Sequence, residues 1–171
     1  EDALLALNSA KDGYKSWSAL SINKRHDWMI KLRAAIIEKE ELLREAVMYE
    51  MGKTYEQTHE DYEALIKALE WYPQEMKHKR DEIIPDIEGT HMHKIISQPA
   101  GVAVGYISWN FPLLNMAFKI GPALSAGCSI IIKPSSNSPL SAYLVGEIAY
   151  SINFPKGVLN ILTGPNDTVS F

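Results

Sequence analysis

Cysteine is nearly absent from this sequence. With Cys128 as the single thiol among 171 residues, no disulfide can form within the chain, and sparing use of thiols suits a reducing compartment such as the cytoplasm. No apolar run approaches the roughly 20 residues that a membrane-spanning helix needs. Nothing at the start reads as a charged-then-apolar signal peptide. The first residue is Glu rather than Met, so the sequence reads as a trimmed chain. Basic residues are also in short supply. Seventeen Lys and Arg against 21 Asp and Glu give a formal net charge of −4, which offers nucleic acid no clustered basic face. Internal repeats, low-complexity runs and a Gly-x-Gly-x-x-Gly phosphate loop are all missing. What remains is ordinary globular material. A hydrophobic content of 46% against 22% charged suffices for one core, as a single domain or one lobe of a larger protein.

Residues 1–82 read as helical packing elements. Ser21 suits an N-cap, and Trp28, Leu32, Ala35 and Ile36 follow at helical spacing. Leu42, Leu43, Ala46, Val47 and Met51 continue that pattern to Gly52, a natural helix stop. Thr54 is expected to open another helix, with Tyr62, Leu65, Ile66, Leu69 and Tyr72 on its apolar side. Pro73 should kink or end it, because proline lacks a donor and its ring clashes with the preceding turn. Residues 83–98 read as a β-hairpin, isoleucines alternating with Gly89, Pro85 and polar residues. His91 and His93 share a face of that hairpin. No Cys or carboxylate at a convincing spacing completes a metal site, so they read as solvated strand residues.

Residues 99–171 alternate between strand and helix. The pattern is strand Val102 to Ile107, helix Leu113 to Ala126, strand Ser129 to Lys133, helix from Ser138-Pro139 through Tyr150, and strand Val158 to Thr163. Three buried strands separated by helices argue for an open parallel α/β sheet with right-handed crossovers. Ligands bind such sheets at the carboxyl ends of the strands. Two residues stand at those ends. Asn110 can cap the helix that follows or donate its amide to a developing oxyanion, and spacing leaves both open. Lys133 either snorkels to solvent or reaches a ribose or phosphate. Cys128 precedes an Ile-Ile-Ile strand with no His or other base nearby in the sequence, and reads as a small buried hydrophobe rather than a nucleophile.

The stretch from Gln98 through Trp109-Asn110-Phe111-Pro112 to Leu114, with Gly121 through Ile132-Lys133-Pro134-Ser135, closely resembles the aldehyde dehydrogenase superfamily. The likeness extends from the Trp17…Arg25 region and Glu50-Met51-Gly52-Lys53 to Thr163-Gly164. It implies a variant Rossmann-like parallel sheet with helices on both faces, preceded by an N-terminal helical segment and a β-hairpin. Residues 1–82 would be helices of the cofactor domain, 83–98 a bridging or oligomerisation hairpin, and 99–171 an incomplete βαβαβ portion. The missing glycine fingerprint fits a family that holds its dinucleotide in a variant manner. The complete protein would oxidise an aldehyde to a carboxylic acid with NAD or NADP, through a cysteine thiohemiacetal and thioester, as a homo-oligomer without a metal.

By the same resemblance, Asn110 holds the oxyanion and Lys119 lies near the active site. Ile107, Ser108, Trp109, Asn110, Lys133, Ser135 and Ser136 seat the cofactor, and Asn115 and Phe118 border the substrate pocket. Three departures carry meaning. NAD-preferring members often place Glu where this chain has Ser136, which admits the 2′-phosphate of NADP. Most members have Pro at the position of Ser108. Branches that oxidise succinate semialdehyde tend to have Arg in place of Phe118, although Gly121 to Cys128 resembles that branch. The nucleophilic cysteine and its glutamate fall outside this sequence. The 171 residues alone are therefore expected to be inactive, and a non-catalytic fragment or binding module is the alternative.

Overall fold

The computed structural model describes residues 1–79 and 81–164. Four helices come first: α1 (Asp2–Ser18), α2 (Ile22–Ile37), α3 (Glu40–Met51) and α4 (Thr58–His78). A hairpin of β1 (Glu82–Ile84) and β2 (His93–Ile95) follows, then β3 (Val102–Tyr106), α5 (Pro112–Ala126), β4 (Ser129–Lys133), α6 (Leu140–Ser151) and β5 (Leu159–Ile161). No helix among the described residues is long and apolar enough to cross a membrane.

Ser21 does cap α2, its side chain accepting from the Lys24 N–H. The helical pattern beyond it, however, belongs to two helices, parted at Glu38-Lys39. An apolar period is the same on both sides of a break, so it cannot reveal that the chain turns to lay Leu43, Ala46 and Val47 on the shared core. Thr54 opens a turn rather than a helix. Its hydroxyl accepts from the Gln57 N–H, and α4 starts at Thr58. Pro73 neither ends nor visibly interrupts α4, which runs on to His78. Its ring is buried, so packing offsets the single backbone hydrogen bond that proline removes. Helices α4 and α5 come close together at Gly121, where an added Cβ would stand 2.5 Å from Tyr72 Cδ2.

The main sheet has the order β3-β4-β5, parallel throughout, with Val102 beside Ser129 and Ile130 beside Leu159. Its ladder is slightly longer than the strands, since Ile130 N–H donates to Val158 O and Leu162 N–H to Ile132 O. Alternation sorts the side chains. Gly105, Ile132 and Ile161 face α5 and α6, while Val104, Tyr106, Ile131 and Lys133 face α1. Helices therefore cover both faces, as the variant Rossmann-like reading requires. The core joins the two halves of the chain, with Trp17, Leu32 and Leu65 of the N-terminal helices in one cluster with Ile120, Ile132 and Val145. Proline at 139 stands at the N-cap of α6 rather than in its first turn.

The hairpin lies apart from that core, and every residue of β1 and β2 is exposed. Only His93 belongs to a strand; His91 sits in the connecting turn, where its N–H and that of Thr90 donate to the Asp86 carboxylate. Among the described residues no group of three or more His, Cys, Asp or Glu is placed to hold a metal ion.

Candidate functional site

The central element of the site is α5, which opens directly after the exit of β3. Pro112 occupies its first turn, where a missing N–H costs nothing. Gly127 closes it with φ of 96°, a left-handed conformation that other residues adopt only with strain. Both ends are fastened from outside. At the C-terminal end, Trp17 Nε1 donates to Leu124 O at 2.8 Å and Arg25 Nε to Ser125 O at 3.3 Å. Burial pulls the Arg25 guanidinium below its ordinary value, with the neighbouring Cys128 thiol acting in the opposite direction.

At the N-terminal end, the N-cap residue is Phe111, whose side chain makes no cap. The Leu114 N–H instead donates to Asp61 Oδ1 at 3.2 Å. Asp61 comes from α4, is 0% exposed, and pairs through Oδ2 with Lys53 at 2.5 Å. The same ammonium stands 3.5 Å from the centroid of the Phe111 ring. Asn110 is thus not the cap of α5. It lies one residue before the N-cap, exposed, in the turn at the carboxyl end of β3.

The other expected site residues fall around this turn and the exit of β4. Ile107 is buried and donates its N–H to Lys133 O, which ties the two strand exits together. Ser108 and Trp109 are exposed beside Asn110. Asn115, one turn into α5, donates from Nδ2 to the Ser108 hydroxyl at 2.8 Å. Phe118 and Leu114 line a cavity of about 700 Å³ together with Trp71 and Tyr72 of α4. Lys119 is exposed, with its stem packed beside Gly105 of β3. Ser135 and Ser136 line a second cavity of about 460 Å³ at the ends of β4 and β5, with Pro134, Pro139, Thr163 and Gly164. The Ser136 hydroxyl donates to Gly164 O at 3.3 Å.

Lys133 does not snorkel into solvent. It is 2% exposed, and Nζ donates to Pro134 O at 2.9 Å. Its side chain lines a smaller cavity of about 260 Å³ beneath α1, with Tyr106 and Ile131. Cys128 is 6% exposed. It has a cation for a neighbour, Arg25, which the sequence did not reveal.

Asp61 and Lys53 escaped sequence reasoning as site residues. An acid in the first turn of α4 reads as an ordinary complement to that helix's own dipole. Nothing local says that it serves a helix starting more than 50 residues later. The aromatic wall was hidden too, since Tyr72 reads as part of an ordinary apolar stripe and Trp71 falls outside that stripe.

The aldehyde dehydrogenase family model matches residues 1–170, and the chain belongs to that family. It is 35% identical to betaine aldehyde dehydrogenase of Bacillus subtilis, covering 99% of this chain and 35% of the relative. It is 29% identical to the NADP(+) succinate-semialdehyde dehydrogenase of Escherichia coli, covering 96% of this chain and 34% of the relative. Among solved structures, a betaine aldehyde dehydrogenase point mutant from Staphylococcus aureus in complex with NAD+ superposes with a TM-score of 0.91 at 30% identity. That match covers 98% of this chain and 35% of the other. The chain therefore spans about a third of the length of the relatives it matches.

Proposed function

We propose that this chain is the N-terminal third of an NAD(P)+-dependent aldehyde dehydrogenase that oxidises an aldehyde to a carboxylic acid through a cysteine thiohemiacetal and thioester. The carrying observation is the freedom of Asn110. Its side chain stands exposed at a strand exit while a different residue satisfies the helix end beside it. An amide held there can donate to a carbonyl oxygen as negative charge develops, and acts most strongly in the transition state.

The residues at the ends of β4 and β5 suit the adenosine end of a nicotinamide dinucleotide. The cavity there is lined by the Ser135 and Ser136 hydroxyls and two prolines, and sits at the carboxyl edge of a parallel sheet. When bound, NAD(P)+ supplies the hydride acceptor. Ser136 brings no negative charge against a 2′-phosphate, which supports use of NADP as well as NAD. Among the relatives, one is named for NADP(+) and one was solved with NAD+.

Phe118, Leu114, Trp71 and Tyr72 would wall the substrate channel. The lining also includes Glu60, Glu63 and Glu70 against a single lysine, Lys67, and no arginine. A carboxylated aldehyde finds little to pair with there, so a succinate-semialdehyde-like substrate is not favoured. The nucleophilic cysteine and its glutamate base belong to the remaining two thirds, since Cys128 is sealed in the core. The exposed isoleucines of the hairpin, Ile83, Ile84, Ile95 and Ile96, would be covered in a homo-oligomer.

Asn110→Ala in the complete enzyme tests the reading. The expected result is a fall in kcat of about 10²–10³-fold, far larger than any weakening of NAD(P)+ binding, measured by steady-state kinetics beside direct cofactor titration. An unchanged kcat would overturn it. Turnover by the 171 residues alone would overturn the assignment of the nucleophile to the missing portion.

A further inference from the structure

A helix that begins with proline still leaves the N–H groups of its next residues without intrahelical partners. In α5 those belong to Leu113 and Leu114, and the N-cap residue, Phe111, carries no oxygen to serve them. The nearest side chain able to do so is Asn110, one residue upstream, and asparagine is among the preferred cap residues. Left to local forces, Asn110 would fold back on the helix end. A cap would accept through Oδ1, whereas an oxyanion needs the Nδ2 donor, so capping would fix the orientation of that donor by the helix end rather than by the site.

We propose that Asp61 is a positioning residue for the Asn110 amide, holding it available by supplying the cap of α5 from a different helix. This rests on the oxyanion role given to Asn110 above. Three contacts support it. Asp61 Oδ1 takes the Leu114 N–H at 3.2 Å, one of the donors at the helix end beside Asn110. Asp61 Oδ2 holds Lys53 at 2.5 Å, with the carboxylate wholly buried. Lys53 in turn lies 3.5 Å from the Phe111 ring centroid, which pins the residue directly after Asn110. The turn carrying the amide is thereby held from both sides, at the helix end through Asp61 and at Phe111 through Lys53. Neither Asp61 nor Lys53 touches substrate in this scheme; both act through the position of Asn110.

The test uses the complete enzyme with Asp61→Ala, Asp61→Asn, Lys53→Met, Asn110→Ala and the double variant Asp61→Ala/Asn110→Ala. Asp61→Ala is expected to lower kcat about tenfold to a hundredfold, the usual size of a misplacement effect, with the KM for aldehyde and the NAD(P)+ Kd nearly unchanged. Asp61→Asn keeps an acceptor oxygen for the Leu114 N–H and should restore most of that loss. The double variant should be no slower than Asn110→Ala alone, because residues acting as one unit are not additive. A merely structural role for Asp61 would slow the Asn110→Ala background as much as the native one. If Asp61→Ala fails to fold, Lys53→Met carries the same cycle against Asn110→Ala, and a native kcat in Lys53→Met then overturns the proposal. Additive losses, or a native kcat in Asp61→Ala while Asn110→Ala is slow, would overturn the proposal. A native kcat in Asn110→Ala itself would instead sink the oxyanion reading on which it stands.

Discussion

At the scale of single residues, one hydroxyl carries the cofactor question. Ser136 stands at the rim of the cavity at the ends of β4 and β5, exposed and donating to Gly164 O. Ser136→Glu would place a carboxylate where it can accept from both hydroxyls of an NAD ribose but opposes a dianionic 2′-phosphate. In the complete enzyme the ratio of kcat/KM for NADP to that for NAD should fall about ten- to a hundredfold, equivalent to roughly 1–3 kcal/mol. A ratio that stays put would place the ribose elsewhere. Cys128 shows the opposite lesson. The sequence identified it as a packing residue from its place before three isoleucines, and burial at 6% exposure agrees. Its charged neighbour Arg25 lies more than 100 residues earlier and could not be read from the local pattern.

Among the elements, the hairpin offers a pH-dependent handle. The Asp86 carboxylate lies below its ordinary value of 3.8, chiefly because the His91 and Thr90 N–H groups donate to it. The charged form is the one the turn favours. Its contribution is present in full above the ordinary value and is lost as pH falls through the lower folded value. Amide resonances of Thr90 and His91 followed by NMR should shift with a midpoint below 3.8, and Asp86→Asn should abolish the transition. A midpoint at or above the ordinary value would show that the turn does not hold its carboxylate. The crossover helices share a different device. Neither α5 nor α6 has a side-chain cap of its own. Asp61 serves α5, and Glu50 serves α6 by accepting from the Leu140 and Ser141 N–H groups and the Ser141 hydroxyl. The Glu50-Met51-Gly52-Lys53 segment thus touches both helix starts, one through Glu50 and one through Lys53.

For the whole molecule, the N-terminal helices and the sheet behave as one packed body. Trp17 is fully buried and bonds the end of α5 from α1, 107 residues away in sequence. Trp17→Phe would keep most of the ring volume and remove the donor to Leu124 O. The expected cost is about 1–3 kcal/mol, or a fall of roughly 2–10 °C in the thermal midpoint. An unchanged midpoint would mean that the Gly127 N–H, which also donates to Leu124 O, satisfies that carbonyl alone.

What the sequence by itself determined was local and periodic. The Val102, Ser129 and Val158 runs declared strands, although only the Ser129 run is buried throughout, the other two being edge strands with part-exposed residues. Gly52 and Gly127 stopped their helices, and Trp109-Asn110-Phe111-Pro112 with the Lys133-Pro134-Ser135 exit carried the family likeness. These signals depend only on neighbours within a few residues, where backbone sterics and side-chain alternation act directly. What only the tertiary structure decided was partnership across long separations. It parted α2 from α3, carried α4 through Pro73, buried Lys133 beneath α1, and gave the cap of α5 to Asp61. Each outcome turns on which surface packs against which, and a one-dimensional pattern of apolar and polar residues does not encode that choice. The role of Asn110 sits on this boundary. Its spacing allowed a cap or an oxyanion donor equally, and the helix end beside it is served by a carboxylate on another helix.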